Sequence, residues 1–541
     1  MPTTRGRTAR GPAAAAAALA TLLLALPLLA GCQPSGSRRS LVVATKSRID
    51  SLDPVQASRI GVMQVLSGLG DPLYAIDAGG RIEPRLATAL PVLSPDGMRA
   101  RIPLRRGVLF HDGTRFDAAA MAFSLRRFMA IGTLGYQLSE RVASVRVTAP
   151  HEIELVLKRP FSPLPRLLSA IFLTPVSPTA YRQHRDRPLN DRFVGTGPYT
   201  LAFFGGQQQR LVPWSRYWGR RPANGGIDLV TLSNSTALFG ALRSGEVDLL
   251  LSTGLEIDHQ QALKRDAAAG RLRQAVGPSQ EISLVSLLTD QPPLNRPALR
   301  QAVARSLDRA TIVRRVTLGL RSPQRQLVPP DLPGSDPTAW PAYDPAGARA
   351  LYRQAGYCGG KVLTLPFTYR SDIPTDRLFA LTWQAQLRRD LGDCVTLEVS
   401  GMESTTAYSQ LDKGALTMLF YDWIGDYPDA ENFLMPLLSC SKAQGNRCLE
   451  GNSVLGGTFW TAPGLEEELQ RSSQLDGPER TALLVAIQRR VAAASPYLPV
   501  WLSAPVAWGQ PGVSQPRFDG SGRVVLGELR RLPAAAAARV P

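Results

Sequence analysis

Two stretches of this chain place charged and aromatic side chains together directly after predicted β-strands. The predicted strand 361–368 runs into Tyr369-Arg370-Ser371-Asp372. The predicted strand 416–421 runs into Asp422-Trp423-Ile424-Gly425-Asp426-Tyr427-Pro428-Asp429. A guanidinium group in one loop and a carboxylate beside aromatic rings in the other suit a zwitterionic ligand, because they hold its carboxylate and its ammonium group respectively. These residue types therefore indicate binding chemistry.

Motifs for catalysis or metal binding are missing from the sequence. It contains neither the Gly-x-Ser-x-Gly pattern of a nucleophile elbow nor the His-Glu-x-x-His pattern of zinc hydrolases. The four histidines are His111, His151, His184 and His259, and none lies in the two strand-end loops. Because His111 precedes Asp112-Gly113 and a predicted helix, we interpret it as part of a turn. We predict that the chain is not an enzyme and uses no cofactor or metal.

The hydrophobic pattern predicts an α/β protein. The run 41–44 is typical of a buried strand, and a helix with apolar residues four apart, 379–391, lies between the predicted strands 361–368 and 395–399. This strand–helix–strand order predicts a parallel sheet covered by helices, whereas alternating patterns indicate a more antiparallel region near 75–190. Ligands of open α/β sheets bind beyond the carboxyl ends of the strands, where the two polar loops stand.

Length and charge narrow the class of protein further. A chain of 541 residues is too long for one core and predicts two or three lobes, and a mean hydropathy of -0.07 fits a folded protein. The formal net charge is +18. The arginines are spread along the chain, and export would separate the protein from DNA and RNA. We therefore expect a solvated basic surface and no nucleic-acid partner.

The N-terminal segment has the pattern of an export signal. Three arginines are followed by an apolar run, 13–29, which is short for a membrane span and contains Pro27. The run ends in Leu29-Ala30-Gly31-Cys32, which is similar to the bacterial lipobox, where the cysteine is diacylated and the segment before it is removed. This resemblance predicts a signal peptide over 1–31, a lipid anchor at Cys32 and a tether over 32–40. It places the protein in the periplasm or on the outer face of the cytoplasmic membrane.

Four further cysteines are Cys358, Cys394, Cys440 and Cys448, and an exported chain permits disulfides among them. Three pairings are possible. Cys440 and Cys448 close a short polar loop. Cys358 and Cys394 each stand just before a predicted strand, so a bridge can join them if these strands are neighbours. The spacing and the scarcity of histidine disfavour a zinc site. We predict two disulfides.

A series of short motifs runs through the chain in a fixed order. They are Ser51-Leu52-Asp53-Pro54, Gly80-Arg81-Ile82-Glu83-Pro84-Arg85-Leu86-Ala87, Leu104 to Gly113, Gly195-Thr196-Gly197-Pro198-Tyr199, Tyr217-Trp218-Gly219, Gly245-Glu246-Val247-Asp248 and Arg300 to Asp308. Each motif alone is weak, but the ordered series is specific. In it the chain resembles the family 5 extracellular solute-binding proteins of ABC importers, which include dipeptide, oligopeptide and nickel binders.

The resemblance implies a two-lobed α/β fold of the periplasmic-binding-protein type, cluster C, with an extra antiparallel subdomain. The implied division is lobe I at 41–74, 195–291 and 504–532, the extra subdomain at 75–194, lobe II at 292–503 and a disordered tail at 533–541. We expect a monomer whose lobes close over the ligand about a hinge. The closed form would dock on the membrane subunits of an ABC permease.

The resemblance also implies roles for single residues. Asp426 matches the aspartate that pairs with the α-ammonium group of the ligand in peptide-binding members, although it could instead cap a turn. Arg370 resembles the arginine that holds a dipeptide's carboxylate in some members. Trp423 would pack on the ligand or in the core, and Tyr421 is the fourth predicted ligand contact.

Several alternatives remain open at this point. Asp422 and Asp429 compete with Asp426 for the role of anchor. We predict a lipoprotein that binds di- or oligopeptides, and the nearest alternative is the same fold with a nickel chelate, a sugar or an opine. A further alternative is an interaction protein that binds cell-wall or lipid anions through its basic surface.

Overall fold

The computed structural model describes residues 40–251 and 255–533. The predicted signal peptide, Cys32 and nearly all of the predicted tether and tail lie outside the described residues. Within the described ranges, no helix combines the length and the apolar composition that crossing a membrane requires.

The strands of the described chain are numbered here in sequence order. They are β1 (Leu41–Thr45), β2 (Tyr74–Ile76), β3 (Ile82–Pro84), β4 (Val92–Leu93), β5 (Arg99–Pro103), β6 (Val142–Ala149), β7 (Glu152–Leu157), β8 (Tyr199–Phe204), β9 (Gln208–Pro213), β10 (Ile227–Thr231), β11 (Leu249–Leu251), β12 (Arg273–Val276), β13 (Glu281–Leu287), β14 (Ser322–Pro323), β15 (Leu363–Arg370), β16 (Val395–Met402), β17 (Met418–Ile424), β18 (Lys442–Gln444), β19 (Arg447–Glu450), β20 (Tyr497–Ser503) and β21 (Val506–Gly509).

The α-helices are interspersed with these strands. They are Ile60–Leu69, Ala118–Ile131, Tyr136–Ser139, Leu164–Leu167, Pro178–Tyr181, Ser235–Ser244, Ile257–Ala268, Pro297–Arg305, Arg309–Val316, Pro345–Gln354, Pro374–Leu391, Ser404–Leu411, Glu431–Leu438, Asn452–Leu455, Leu465–Ser472 and Gly477–Ala494. Short 3-10 helices lie at Pro54–Gln56, Ile171–Leu173, Arg182–His184 and Leu526–Glu528.

Two large mixed sheets organise the described chain. The first has the order β12-β21-β11-β1-β10-β9-β8, and the second has the order β14-β20-β13-β17-β15-β16. Each sheet packs against its own buried apolar cluster, so the molecule has separate cores for separate lobes. An antiparallel sheet, β4-β5-β7-β6, supplies the antiparallel region that the sequence predicts. The two-lobed α/β fold is therefore confirmed.

The second sheet contains the strands that precede the two polar loops. β15 pairs with β16 and β17 in parallel, as the strand–helix–strand order predicts. β13 and β20, which that prediction did not include, run antiparallel to their neighbours and make the sheet mixed. These two strands carry the chain into and out of the second lobe. Among the described elements, no helical crossover joins either of them directly to a neighbouring strand, so they are not held to the parallel direction of β15, β16 and β17.

The pairing of β13 bears on one predicted lobe boundary. The predicted boundary at 291/292 puts 281–287 in lobe I, whereas β13 pairs with β17 and β20 in the second sheet. An apolar run that is buried on both faces fits either sheet, and only the pairing decides between them. We propose that the chain crosses between the lobes at 277–280 and returns at Ala504 and Pro505. The other lobe bounds stay a prediction.

Both predicted disulfides are present, one between Cys358 and Cys394 and the other between Cys440 and Cys448. Leu363 lies opposite Val395 in the parallel pair of β15 and β16. Cys394 directly precedes Val395 and Cys358 lies a few residues before Leu363, so the two cysteines meet at the same edge of the sheet. The bridge between Cys358 and Cys394 depends on β15 and β16 being neighbours, and this pairing of the strands is confirmed.

Candidate functional site

A cavity of about 310 Å³ lies between the edge of the second sheet and elements of the first lobe. Its lining residues are Ile60, Met63, Ala170, Leu255, Gln260, Gln280, Glu281, Arg321, 424–428, 503–505 and 521–523. The apolar wall comes from the first lobe, and most of the polar groups come from the second. Its volume is at the low end of the range for small-molecule sites, about 300–1,000 Å³.

The loop after β17 places a carboxylate in this cavity. The N–H of Gly425 donates to the carbonyl of Gln280 (3.1 Å), and the N–H of Asp426 donates to Oδ1 of Asn432 (2.9 Å). A Cβ atom at Gly425 would come within 2.7 Å of the ring of Phe433, so this close approach requires glycine. The two hydrogen bonds and the packing fix the backbone of Asp426.

The carboxylate of Asp426 is buried without a counter-ion. Its Oδ2 accepts a hydrogen bond from Nε2 of Gln137 (2.7 Å), and no cationic group of the described residues lies within ion-pair distance. Burial raises the pKa of Asp426 to about 6, although Gln137 and the more distant Arg141 act to lower it. A cationic ligand group would supply the partner that the protein does not.

The two competing aspartates are occupied by arginines. Oδ2 of Asp422 accepts from Arg370 (2.5 Å), and the carboxylate of Asp429 accepts two hydrogen bonds from Arg480 (2.6 and 3.0 Å). Neither Asp422 nor Asp429 lines the cavity. Of the three carboxylates in the predicted loop, Asp426 alone combines a cavity position with the lack of an ion-pair partner among the described residues.

Arg370 is enclosed by protein partners. Its Nε donates to Oδ2 of Asp376 (2.7 Å), its Nη2 donates to Asp422 and its Nη1 donates to the hydroxyl of Tyr408 (3.1 Å). Burial lowers the pKa of Arg370, but the carboxylates of Asp422 and Asp376 outweigh it, and the pKa lies above its ordinary value. Arg370 is absent from the cavity lining. Its predicted contact with a ligand carboxylate stays a prediction, and it would require the loss of one of these bonds.

The two predicted aromatic contacts are also absent from the cavity lining. The hydroxyl of Tyr421 donates to the carbonyl of Gly456 (3.3 Å), and the ring is buried in the second core. The indole Nε1 of Trp423 donates to the carbonyl of Asn432 (2.7 Å), and its ring packs against the same core. Of the four predicted ligand contacts, Asp426 lines the cavity and Arg370, Tyr421 and Trp423 do not, so their contacts with a ligand stay predictions.

His111 belongs to a turn in the first lobe, as expected. Its Nδ1 accepts from the N–H of Gly195 (3.4 Å) and its Nε2 donates to the carbonyl of Gly197 (3.1 Å), an arrangement that one neutral tautomer satisfies. Burial lowers the pKa of His111, which favours this neutral form. The histidine is therefore occupied in joining two loops.

Four polar residues at or beside the cavity escape sequence reasoning: Gln137, Glu281, Arg321 and Arg523. They come from four distant segments, and none stands in a recognisable motif. The signal that could have found Glu281 is its position at the start of β13, because that end meets the end of β17 when the strands pair antiparallel. The other three depend on tertiary contacts.

Glu281 is partly buried and faces the cavity. Burial and the nearby Asp422 carboxylate raise the pKa of Glu281 to about 7, while Arg321, the hydroxyl of Ser503 and Arg370 act to lower it. The charged groups of the lining are therefore the carboxylates of Glu281 and Asp426 and the guanidinium groups of Arg321 and Arg523. This balanced set can receive a ligand that carries both signs of charge.

Comparison with known proteins relates the chain to bacterial solute-binding proteins. Residues 81–445 match the family model described as bacterial extracellular solute-binding proteins, family 5. The chain is 26% identical over 496 residues to the glutathione-binding protein GsiB of Salmonella paratyphi A, covering 90% of this chain and 92% of the relative. The relative from Escherichia coli strain K12 is 25% identical over 491 residues, covering 89% and 92%.

Solved structures share the fold. The dipeptide-binding protein of Pseudoalteromonas sp. SM9913, in complex with Met-Leu, has a TM-score of 0.74 at 20% identity and covers 91% of this chain and 100% of that one. NikA of Brucella suis, in complex with Fe(III)-EDTA, has a TM-score of 0.79 at 22% identity with the same coverage.

The family match spans well over half of the 541 residues and includes the loop that carries Asp426. Proteins of this family bind small solutes outside the cytoplasm and work with ABC permeases, and the family is one of binding proteins rather than enzymes. The chain belongs to the bacterial extracellular solute-binding proteins of family 5.

Proposed function

We propose that this protein captures short peptides with a free amino terminus in the cavity between its two large sheets and delivers them to an ABC permease. The observation that carries the proposal is the carboxylate of Asp426, which lines the cavity and meets no cation among the described residues. A buried carboxylate without a counter-ion is costly, and the α-ammonium group of a peptide would remove that cost.

The ligands named for the relatives support the same class. Glutathione is a peptide with one α-ammonium group, and solved neighbours hold Met-Leu and the peptide STSA. Other neighbours hold Fe(III)-EDTA or agropinic acid, so the fold alone does not select a ligand. Neither histidine nor cysteine occurs among the described residues that line the cavity, which favours a peptide over a metal chelate held by such side chains.

Contacts across the cavity support closure around a ligand. Gln137, which donates to Asp426, lies in the antiparallel region, and Nη2 of Arg141 in the same region donates to Oε1 of Glu431 (2.7 Å) in the second lobe. A ligand that pairs with Asp426 would favour whichever arrangement of the lobes surrounds it best, and so would shift the population towards a closed form.

Titration calorimetry on the protein tests the proposal. Di- to pentapeptides with free amino termini and glutathione are compared with the same peptides acetylated at the amino terminus. We expect binding of one or more free peptides and a loss of about tenfold or more on acetylation, because acetylation removes the ammonium charge. If no peptide binds and another solute does, the proposed peptide function is wrong.

Peptide affinity is expected to fall in acid because the carboxylate must be ionised to pair with an ammonium group. The pKa of Asp426 is raised by burial to about 6, so the free protein is mostly ionised above pH 6 and protonated below it. Lowering the pH from 7.5 to 5 should weaken binding about tenfold, since each unit below the pKa costs up to about tenfold.

The measurement is best made on a Glu281→Gln background, because Glu281 titrates near the same range with a pKa of about 7. The matched control is Asp426→Asn/Glu281→Gln, whose weaker binding should change little over the same interval. An affinity that rises steadily as the pH falls in the Glu281→Gln protein would contradict the assignment of Asp426.

We also propose that the protein is a monomeric lipoprotein anchored through Cys32. A Cys32→Ser protein, produced with its N-terminal segment in a bacterial host, is expected to leave the membrane fraction, whereas wild type stays there and carries acyl chains detectable by mass spectrometry. Two acyl chains suffice for stable anchoring. Retention of the exported Cys32→Ser protein in the membrane would refute the lipid anchor while leaving the peptide proposal intact.

A further inference from the structure

One edge of the second sheet forms a row of strand ends along the cavity. Ser322 pairs with Leu502, Ile282 pairs with Leu502 on the other side, and Ile282 also pairs with Trp423. The next row towards the cavity is therefore Arg321, Ser503, Glu281 and Ile424, in that order across four strands. All four of these residues line the cavity, and Asp426 follows two residues after Ile424.

Arg321 stands at the opposite end of this row from Asp426. Its side chain is partly buried and makes no hydrogen bond and no ion pair within 4.0 Å with any described residue. The other cavity arginine, Arg523, has its Nε 3.4 Å from Oδ2 of Asp519. Arg370 is enclosed by Asp376, Asp422 and Tyr408. Arg321 is thus the cavity guanidinium group that makes no direct ion pair with a described residue.

Ser503 provides a second, independent observation next to Arg321. Its side chain is 4% exposed, and its Oγ makes no well-aligned hydrogen bond with a described residue, although it lies near enough to the carboxylate of Glu281 to lower the pKa of that group. Buried hydroxyl groups almost always have a partner, so an unsatisfied one that lines a cavity indicates where a ligand or water binds. A hydroxyl donor beside a guanidinium group matches the two oxygens of a carboxylate.

We propose that Arg321 and Ser503 bind the carboxyl terminus of the ligand, so that the protein selects di- and tripeptides whose two charged ends lie in one cavity. This inference rests on the proposed function, which places the amino terminus at Asp426. The sequence predicts that Arg370 contacts the ligand carboxylate. This proposal assigns the contact to Arg321, which lies two strand spacings from Glu281.

The span of the row agrees with this ligand length. Arg321 and Ile424 are separated by three strand spacings, which is about 14 Å between backbones at about 4.8 Å per spacing. The side chains of Arg321 and Asp426 reach into the gap from both sides and shorten it. Two or three extended residues span about 7 to 10 Å. A longer peptide would carry its carboxylate past Arg321.

Glu281 completes the charge arrangement between the two ends. Its carboxylate makes no ion pair within 4.0 Å with a described residue, and it is close enough to Arg321 for the two charges to attract each other. In the empty cavity this attraction offsets the charge of Arg321. When a peptide is bound, Glu281 lies beside its middle, where it can accept a hydrogen bond from a backbone N–H.

The test compares a dipeptide and a tripeptide as free acids and as C-terminal amides, by calorimetry on wild type, Arg321→Gln, Arg321→Lys and Ser503→Ala. Arg315→Gln is the charge-matched control, because Arg315 is exposed on the helix Arg309–Val316. We expect wild type and Arg315→Gln to prefer the free acid by about tenfold or more. Arg321→Gln should lose this preference, and Arg321→Lys and Ser503→Ala should keep part of it.

Each outcome separates this inference from the proposed function. If Arg321→Gln binds acid and amide equally but still rejects N-acetylated peptides, both proposals are supported. If wild type rejects N-acetylated peptides but binds acid and amide equally, the role of Arg321 is overturned and the peptide function stands. If Arg321→Gln and Arg321→Lys both keep the full preference for the acid, the carboxylate binds elsewhere. If wild type discriminates at neither end, both proposals are wrong.

Discussion

Replacement of Asp426 by asparagine is expected to weaken peptide binding about 100-fold while leaving the protein folded. Removing one partner of a buried, hydrogen-bonded charge pair costs about 2–5 kcal/mol of binding free energy. The amide keeps the shape of the side chain and can still bond to Gln137, so the loss reports the missing charge. Calorimetry with a free dipeptide measures the change. The matched control is Asp412→Asn, an exposed aspartate just after the helix Ser404–Leu411.

The stability of the empty protein should change in the opposite direction from its affinity. The pKa of Asp426 is raised by burial in the folded state, so ionisation disfavours that state, and this carboxylate makes the fold less stable as the pH rises from about 4 to about 6. Asp426→Asn removes this cost, and its free energy of unfolding at pH 7.5 should equal or exceed that of wild type. Unaltered affinity in a folded Asp426→Asn protein would overturn the ammonium assignment.

Replacement of Arg370 by methionine is expected to destabilise the fold by about 3–5 kcal/mol, because it leaves buried carboxylates without their cation. Asp376 is 2% exposed and loses its bond to Nε of Arg370, and Asp422 loses its bond to Nη2. Urea unfolding, followed by fluorescence, measures the change. Arg377→Met is the control, since Arg377 is exposed on the helix Pro374–Leu391.

A rescue experiment tests whether the loss comes from unpaired carboxylates. Adding Asp422→Asn and Asp376→Asn to Arg370→Met removes both charges and should recover part of the stability. The contrary result is an Arg370→Met protein that is as stable as wild type and loses the preference for peptide acids over amides. That result would show that Arg370 binds the ligand carboxylate, as the sequence predicts, and that Arg321 does not.

Local patterns predict the elements that carry the site. The apolar run before Asp422 becomes β17, the helix with apolar residues four apart becomes Pro374–Leu391, and the cysteines before β15 and β16 are joined. Each of these depends on periodicity or on the neighbours of a residue along the chain. The ordered motifs likewise identify the family, because motif order is a property of the sequence itself.

Pairing between distant strands is where sequence reasoning fails. The run 281–287 is apolar enough for either sheet, and only its pairing with β17 and β20 shows that β13 belongs to the second sheet. The same limit applies to Arg370 and Arg321. Both are arginines at strand ends, and only the positions of Asp376 and Asp422 show that the first is enclosed.

The sequence by itself indicated the class of protein, the two-lobed fold, the presence of two disulfides and the loop that contains Asp426. Those features depend on local composition, on hydrophobic period and on motif order. The tertiary structure decided which of the three aspartates makes no ion pair with a described arginine, and which cavity arginine makes none with a described carboxylate. The reason is physical: whether a charge is available to a ligand depends on what lies within a few ångströms of it, and those neighbours come from segments that are far apart along the chain.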